Sequence, residues 1–326
     1  MKRICWGMIG CGDVTQVKSG PAFNKVESSF IAAVMSRNLD KAKSYAEKNN
    51  ISRFYDDANA LLANPEVNAV YIATPPSTHE AYALMAINAG KDVYLEKPMA
   101  MSHASAVKIS DAAAKAGTKL VIAHYRREQP AFKKVKQLLD DGAIGKVRLA
   151  ICKYEKIAYT KEELLIPGNK WRVDPSISGG GIFHDLAPHQ LDLMLYFFGE
   201  HKAAAGFSKN QCDLYKADDT VAGTILFSNN VMFSGTWLFN GKQYIDELQI
   251  IGTKGQISFG AFQHEMVQLQ ADGINKLYTF ENLTHVQMPL INQTVRYFQG
   301  GAPNPCEPKN GVEVMKIIDS FTSDPY

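Results

Sequence analysis

The chain has 326 residues, 46% hydrophobic and 21% charged, and its 35 Lys and Arg against 33 Asp and Glu leave a net charge of +2. That length suffices for two domains, and so even a balance gives no electrostatic ground for binding nucleic acid or an anionic membrane. No apolar run approaches the roughly 20 residues that cross a bilayer, and the scattered cysteines (Cys5, Cys11, Cys152, Cys212, Cys306) form no C-x-x-C pair. Neither a zinc site nor a disulfide framework is indicated, and a reducing cytoplasm is the expected location.

The first expected strand, Ile4–Ile9, is too short for a leader sequence. It runs straight into Gly10-Cys11-Gly12-Asp13-Val14-Thr15, a G-x-G-x-x-small turn. In a dinucleotide-binding βαβ unit, the first glycine permits the tight turn and the second removes a Cβ so that pyrophosphate can reach backbone N–H groups. The strand before it and a second apolar strand at Phe30–Met35 supply the required context. Thr15 is bulkier than glycine, so the first helix is expected to pack slightly farther from the sheet. Strand two ends in Ser36-Arg37-Asn38, with no carboxylate. An acid there would accept from a ribose 2′-hydroxyl, whereas Ser36 can donate to a 2′-phosphate and Arg37 can pair with it. NADP is therefore expected ahead of NAD.

Helical patterns at Leu39–Lys48 and Ala58–Ala63 flank a short strand, Arg53–Tyr55. Strand four, Ala69–Ala73, leads into Thr74-Pro75-Pro76-Ser77-Thr78-His79. The two prolines fix a turn beside the expected cofactor crevice, and Ser77 or Thr78 is placed to cap the helix Thr78–Ala89. His79 suits a structural role as well as a cofactor contact. Strand five, Asp92–Leu95, ends in Glu96-Lys97-Pro98. A lysine at the carboxyl end of a buried strand is costly unless it pairs, reacts or touches a cofactor, and Pro98 holds it in extended geometry. A helix Ser102–Ala116 and a strand Lys119–Ala123, which ends beside His124, complete a βα alternation typical of a parallel doubly wound sheet.

Beyond Tyr125 the pattern changes. A helix (Ala131–Asp141) and a long strand (Lys146–Tyr154) precede a polar loop that reaches Ser178 and holds candidate hydroxyl-binding groups (Tyr159, Arg172, with Lys153 and Tyr154 just before it). Gly179-Gly180-Gly181 then precedes His184, Asp185, Pro188 and His189. Asp185 and His189 are four apart and share a face if helical. Pro188 is tolerable if Asp185 is the N-cap of a helix Asp185–Phe198. The plain alternative is a capping aspartate with a partly buried histidine. A metal held by His184, Asp185, His189 and Asp192 is disfavoured, because His184 and Asp185 point in different directions on a helix. Hairpin signals follow at Asn229-Asn230, Thr253-Lys254-Gly255 and Asp272-Gly273, and the tail returns to helix at Leu290–Gln299 and Gly311–Phe321. The expected fold is α/β: an N-terminal Rossmann domain (1–124) and a C-terminal α+β domain (125–326) on a mainly antiparallel open sheet, whose last helices are free to pack back on the first domain.

Gly10-x-Gly12 after strand one, Thr74-Pro75 after strand four, Glu96-Lys97-Pro98 after strand five and Gly-Gly-Gly before Asp185-x-x-x-His189 together resemble the glucose–fructose oxidoreductase/inositol dehydrogenase (Gfo/Idh/MocA) family. The order and spacing match from residue 4 to about residue 200. The resemblance implies NAD(P)-dependent oxidation or reduction of sugars, polyols and related carbonyls. It places Lys97 and His189 near the nicotinamide and the reacting hydroxyl, with Asp185 beside them. Trp171, Arg172 and His124 resemble positions that reach the nicotinamide end in anhydrofructose-reductase-like members, and Pro98 a position that follows a cis peptide.

Hydride transfer needs a group that moves the hydroxyl proton, and histidine suits that shuttle. An ammonium would stabilise developing alkoxide charge. His189 is therefore the expected proton donor or acceptor and Lys97 the polarising group, with Lys97 as sole acid/base the competitor. Two rival readings are a non-catalytic NADPH sensor of the same fold and an enzyme that uses its nicotinamide transiently. The hairpin-rich sheet at 220–280 has few helices to cover it, so a homodimer or homotetramer through that sheet is expected.

Overall fold

The computed structural model describes residues 3–323, which fall into two compact units. One is drawn from Met1–Tyr125 and Leu283–Glu313, the other from Arg126–Asn282 and Val314–Tyr326.

The first unit is built on six strands: β1 (Ile4–Ile9), β2 (Ser29–Met35), β3 (Arg53–Tyr55), β4 (Ala69–Ile72), β5 (Asp92–Leu95) and β6 (Leu120–Ile122). All pair in parallel, in the order β3-β2-β1-β4-β5-β6. The central strands are almost continuously apolar because both faces are covered. Their covers include α1 (Gly20–Lys25), α2 (Leu39–Lys48), α3 (Ala58–Leu62), α4 (His79–Asn88) and α5 (His103–Ala116). Ser102 caps α5 through its side chain, and Gly117 ends it in the left-handed conformation that glycine adopts without penalty. Trp6, Phe23, Tyr71 and Tyr94 form one aromatic cluster, with Phe23 and Tyr71 ring centroids 4.9 Å apart. The order reverses between β1 and β4, and open sheets bind their ligands outside the carboxyl ends of strands at such a point.

The second unit holds α6 (Pro130–Asp140), β7 (Val147–Ile157), three short helices α7 (Lys161–Leu165), α8 (Pro167–Lys170) and α9 (Pro175–Ser178), and the long α10 (Ile182–Phe198). Seven strands follow: β8 (His201–Lys209), β9 (Thr220–Phe227), β10 (Met232–Gly241), β11 (Ile245–Gly252), β12 (Gly255–Phe259), β13 (Met266–Ala271) and β14 (Ile274–Thr279). With β7 they make an eight-stranded sheet, β14-β13-β12-β11-β7-β10-β9-β8. Its pairs are antiparallel except β7 with β10. The expected hairpin turns are present; Asp272 and Gly273 both take positive φ, as a two-residue turn that follows strand twist requires. One face of the sheet packs on α10, where Phe183 stacks edge-on against Trp237 and the Trp237 indole donates to Gln190 Oε1 at 2.8 Å. The tail forms α11 (Met288–Phe298) and α12 (Pro308–Thr322).

Three local expectations are corrected. Residues 155–178 are not simply a polar loop: β7 continues to Ile157, and α7 opens with a capping box between Thr160 and Glu163. Helices of four or five residues show no 3.6-residue period for sequence reading to detect. α10 begins at Ile182, with Gly181 at φ +85° before it, so Asp185 is not its N-cap and Pro188 lies inside the helix. The apolar pair Ile182-Phe183 is drawn into the helix by its burial in the core, leaving the His184 carbonyl without a helical N–H from residue 188. Neither Ser77 nor Thr78 caps α4 through its side chain; the Thr78 hydroxyl instead bonds Thr74 Oγ1 and the Pro75 carbonyl.

Candidate active site

In the first unit the glycine turn sits at the β1 end of the switch point. A Cβ on Gly10 would lie 2.7 Å from the Ala73 carbonyl oxygen, so only glycine lets the turn pass the end of β4. A Cβ on Gly12 would meet no described atom within 4 Å, so the space above that residue is open, as the approach of a pyrophosphate requires. Asp13 and the wide helical turn Val14–Lys18 follow. Thr15 is buried there and its hydroxyl donates to the Gly12 carbonyl at 2.7 Å. The close approach falls to Gly20, whose Cβ would lie 2.1 Å from the Thr15 carbonyl oxygen. Cys11 is buried and its thiol is pushed up to about 11 by burial, with the Lys41 ammonium acting in the other direction. Lys41, a cation of α2 that motif reading passed over, therefore lies close enough to act on Cys11 in the glycine turn.

At the end of β4, Thr74 and Pro75 are half-buried, while His79 is fully enclosed. Its Nδ1 lies 2.8 Å from the Pro98 carbonyl oxygen and its Nε2 2.8 Å from that of Thr74. Burial holds this imidazole below its ordinary pKa, and the two carbonyl oxygens oppose that effect. His79 thus joins the turns after β4 and β5. Lys97 is half-buried, and its peptide to Pro98 is cis. Glu96 is turned inward: Oε1 accepts from Tyr71 at 2.7 Å and from the Gln287 amide at 2.6 Å. Burial raises its pKa, with Gln287, Lys97 and Tyr71 opposing. His124 is buried at the end of β6.

In the second unit, Asp185 and His189 stand one turn apart on α10. Arg172 Nε donates to Asp185 Oδ2 at 2.9 Å, its guanidinium lies 4.7 Å from the Trp171 ring, and it also bonds the Gly168 carbonyl. The short helices of residues 161–178 therefore deliver Arg172 to Asp185. His189 is buried and meets Phe262 edge-on at 5.7 Å. Phe262 also lies 5.2 Å from the buried Tyr154, whose hydroxyl is raised well above its usual range by burial, then by Tyr244. Sequence reading missed Phe262 and the group that places it. Asp246 on β11 accepts backbone N–H bonds from Ala261, Phe262 and Gln263 at 2.6–3.0 Å, folding that loop toward His189. β11 reads Ile-Asp-Glu-Leu-Gln, and nothing local in that run sets Asp246 apart from Glu247. His184 is buried against Gly180, and that burial pushes its pKa down to about 4, with the Gly180 backbone opposing. Asp192 is gripped by Arg127, and among the described residues no group of three His, Cys, Asp or Glu is placed to hold a metal.

This strand order, with a glycine turn at its switch point, defines a dinucleotide-binding Rossmann fold. Residues 4–124 match the GFO/IDH/MocA oxidoreductase family, NAD-binding Rossmann fold, and residues 132–258 match the GFO/IDH/MocA C-terminal domain. The chain is 45% identical to Oxidoreductase P35 of Formosa agariphila over 98% of both chains. It is 26% identical to 1,5-anhydro-D-fructose reductase of Ensifer adhaerens over 77% of this chain and 74% of that one. Among solved structures, levoglucosan dehydrogenase in complex with NADH and levoglucosan superposes with a TM-score of 0.88 at 21% identity, covering 98% of this chain and 96% of that one. The chain belongs to the GFO/IDH/MocA oxidoreductase family.

Proposed function

We propose that the protein is an NADP(H)-dependent oxidoreductase, with NAD as a weaker alternative, that moves a hydride between nicotinamide and a carbon of a sugar, polyol or keto-sugar. The observation that carries this reading is the glycine turn, open above Gly12, in the same sheet as a half-buried Lys97 at the end of β5. Relatives named for sugar chemistry support the substrate class.

Residues 1–124 serve the dinucleotide: Gly10, Cys11, Gly12, Asp13 and Val14 the pyrophosphate, Ser36 and Arg37 the 2′-phosphate, and Thr74 and Pro75 the turn beside it. His79 and Glu96 act through the segments they brace. His124, Trp171 and Arg172 serve the nicotinamide end, which when bound supplies or accepts the hydride. Residues 125–326 serve the substrate and assembly. In reduction, Lys97 polarises the carbonyl oxygen and His189 gives it the proton; in oxidation His189 takes that proton back. Asp185, held by Arg172, orients its neighbours or binds a substrate hydroxyl together with Tyr154. The reading is tested by NADPH consumption across a panel of keto-sugars and aldoses, with product formed in equal amount. Turnover without net NADPH loss would point instead to transient use of the nicotinamide.

NADP(H) should bind more tightly than NAD(H), because Ser36 and Arg37 stand where an acid would repel the 2′-phosphate. Arg37→Asp should narrow or reverse that preference, and titration of both cofactors at moderate salt checks it. Equal wild-type affinities would contradict the assignment.

The protein should also be a dimer or tetramer in the cytoplasm, joined through the open sheet face. Two adjacent cross-strand rows on that face carry no charge. In one, Leu226, Met232, Leu149 and Ile251 stand side by side; in the other, Thr224, Ser234, Ile151 and Gln249 do. Light scattering at micromolar concentration should show the oligomer, and Ile151→Asp should dissociate it. A wild-type monomer would overturn this.

A further inference from the structure

We propose that Gln287 is a positioning residue that ties the turn after the glycine loop to the Lys97-bearing end of β5, so that dinucleotide affinity and the placement of Lys97 depend on one buried ring of hydrogen bonds. The proposal rests on the functional reading above and goes beyond it, since Gln287 lies in no motif of the dinucleotide fold.

The ring closes on itself. The Gln287 backbone N–H donates to the Lys18 carbonyl at 3.3 Å, and its side-chain amide donates to Glu96 Oε1 at 2.6 Å. Tyr71 donates to the same oxygen at 2.7 Å, and its hydroxyl lies 2.8 Å from Ser19 Oγ, one residue beyond Lys18. Tyr94 donates to Gln287 Oε1 at 3.0 Å, which fixes the amide with its nitrogen toward Glu96. The other Glu96 oxygen accepts the Lys97 backbone N–H at 3.3 Å. A displaced Glu96 side chain therefore pulls directly on the residue that carries the ammonium. Next to Gln287, the His285 ring lies 2.7 Å from the Val17 carbonyl oxygen and 2.7 Å from Lys25 Nζ, a second fastening on the same turn.

Such a ring is an expensive way to fill a core. Ser19, Tyr71 and Gln287 are fully enclosed and Glu96 nearly so. Burying a carboxyl group is unfavourable unless its oxygens are bonded, and apolar side chains of similar volume fill such space without that cost. The polar groups connect the two segments to which the proposed chemistry belongs, Val14–Ser19 and Glu96–Lys97. Because the bonded groups of the ring share partners, cutting one contact loosens its neighbours.

The test uses the full chain with Tyr71→Phe and Gln287→Met, singly and together, and reads NADPH affinity by titration, kcat at saturating NADPH, and the melting temperature. Loss of a hydrogen bond to a charged group should weaken NADPH binding and lower kcat by about tenfold in each single variant. The double variant should be little worse than either, because both cut one ring. Tyr71→Phe keeps the volume of the side chain and decides the matter if Gln287→Met fails to fold. Variants that melt lower yet bind and turn over NADPH like the wild type would overturn the proposal, as would losses that multiply in the double variant. A wild-type chain that binds no dinucleotide would instead overturn the functional reading.

Discussion

Replacing His189 or Lys97 with alanine should slow hydride transfer by about 10²- to 10⁴-fold, the usual contribution of a positioned acid or base, while NADPH affinity stays near normal. The expectation follows from what each residue would do to one substrate oxygen: the imidazole moves its proton, and the ammonium stabilises the negative charge it gathers. Residues that act as a unit are not additive, so the double variant should lose less than the product of the single losses. His189 is buried beside Phe262, and Asp185 one turn away is occupied by Arg172. Asp185→Asn should therefore show a smaller, mixed effect on kcat and KM, acting partly through orientation. Single-turnover kinetics in both directions, with cofactor binding measured separately, distinguish these roles. Near-normal transfer in both alanine variants would mean that the reacting oxygen sits elsewhere.

The largest effect on stability is expected at Asp192. This α10 carboxylate is almost fully enclosed, and the Arg127 guanidinium grips it with Nε 2.9 and 2.8 Å from its two oxygens and Nη2 2.6 Å from Oδ1. Tyr196, four residues on, lies against the same guanidinium at 5.5 Å. Removing one partner leaves a buried charge without its counter-charge, which costs about 3–5 kcal/mol. Asp192→Ala should lose that much in urea unfolding at neutral pH. Arg127→Met combined with Asp192→Leu should recover much of it, because the pair itself contributes little beyond what apolar packing would. A loss below about 1 kcal/mol in Asp192→Ala would show that water reaches the arginine.

The first unit was largely legible in the sequence. β1, β3, β5 and α2 have the expected bounds, because continuous apolar strands alternate there with amphipathic helices, and the Asn38, Asp57 and Ser102 side chains cap their helices. The glycine turn was legible because its chemistry is local. What escaped was long-range. The Glu96-Lys97-Pro98 triplet stood out in the sequence, but the amide that holds Glu96 comes from 191 residues further on. Phe262 reaches His189 through a loop that Asp246 folds by accepting backbone N–H bonds, and no spacing rule announces such a contact. α10 starts three residues before the position that Pro188 suggests, because Ile182 and Phe183 are buried. A proline costs one helical hydrogen bond, whereas two large apolar side chains brought into the core stabilise by several kcal/mol at roughly 1.5–3 each.

The most direct test of the central claim is transfer of deuterium from NADPH carrying deuterium at both nicotinamide C4 positions to a keto-sugar or aldose. The account predicts one deuterium on the carbon that bore the carbonyl, one NADPH oxidised per product formed, and about 10²- to 10⁴-fold slower label transfer in His189→Ala. Product that forms without label, or NADPH that binds and is never oxidised by any carbohydrate in the panel, would contradict it.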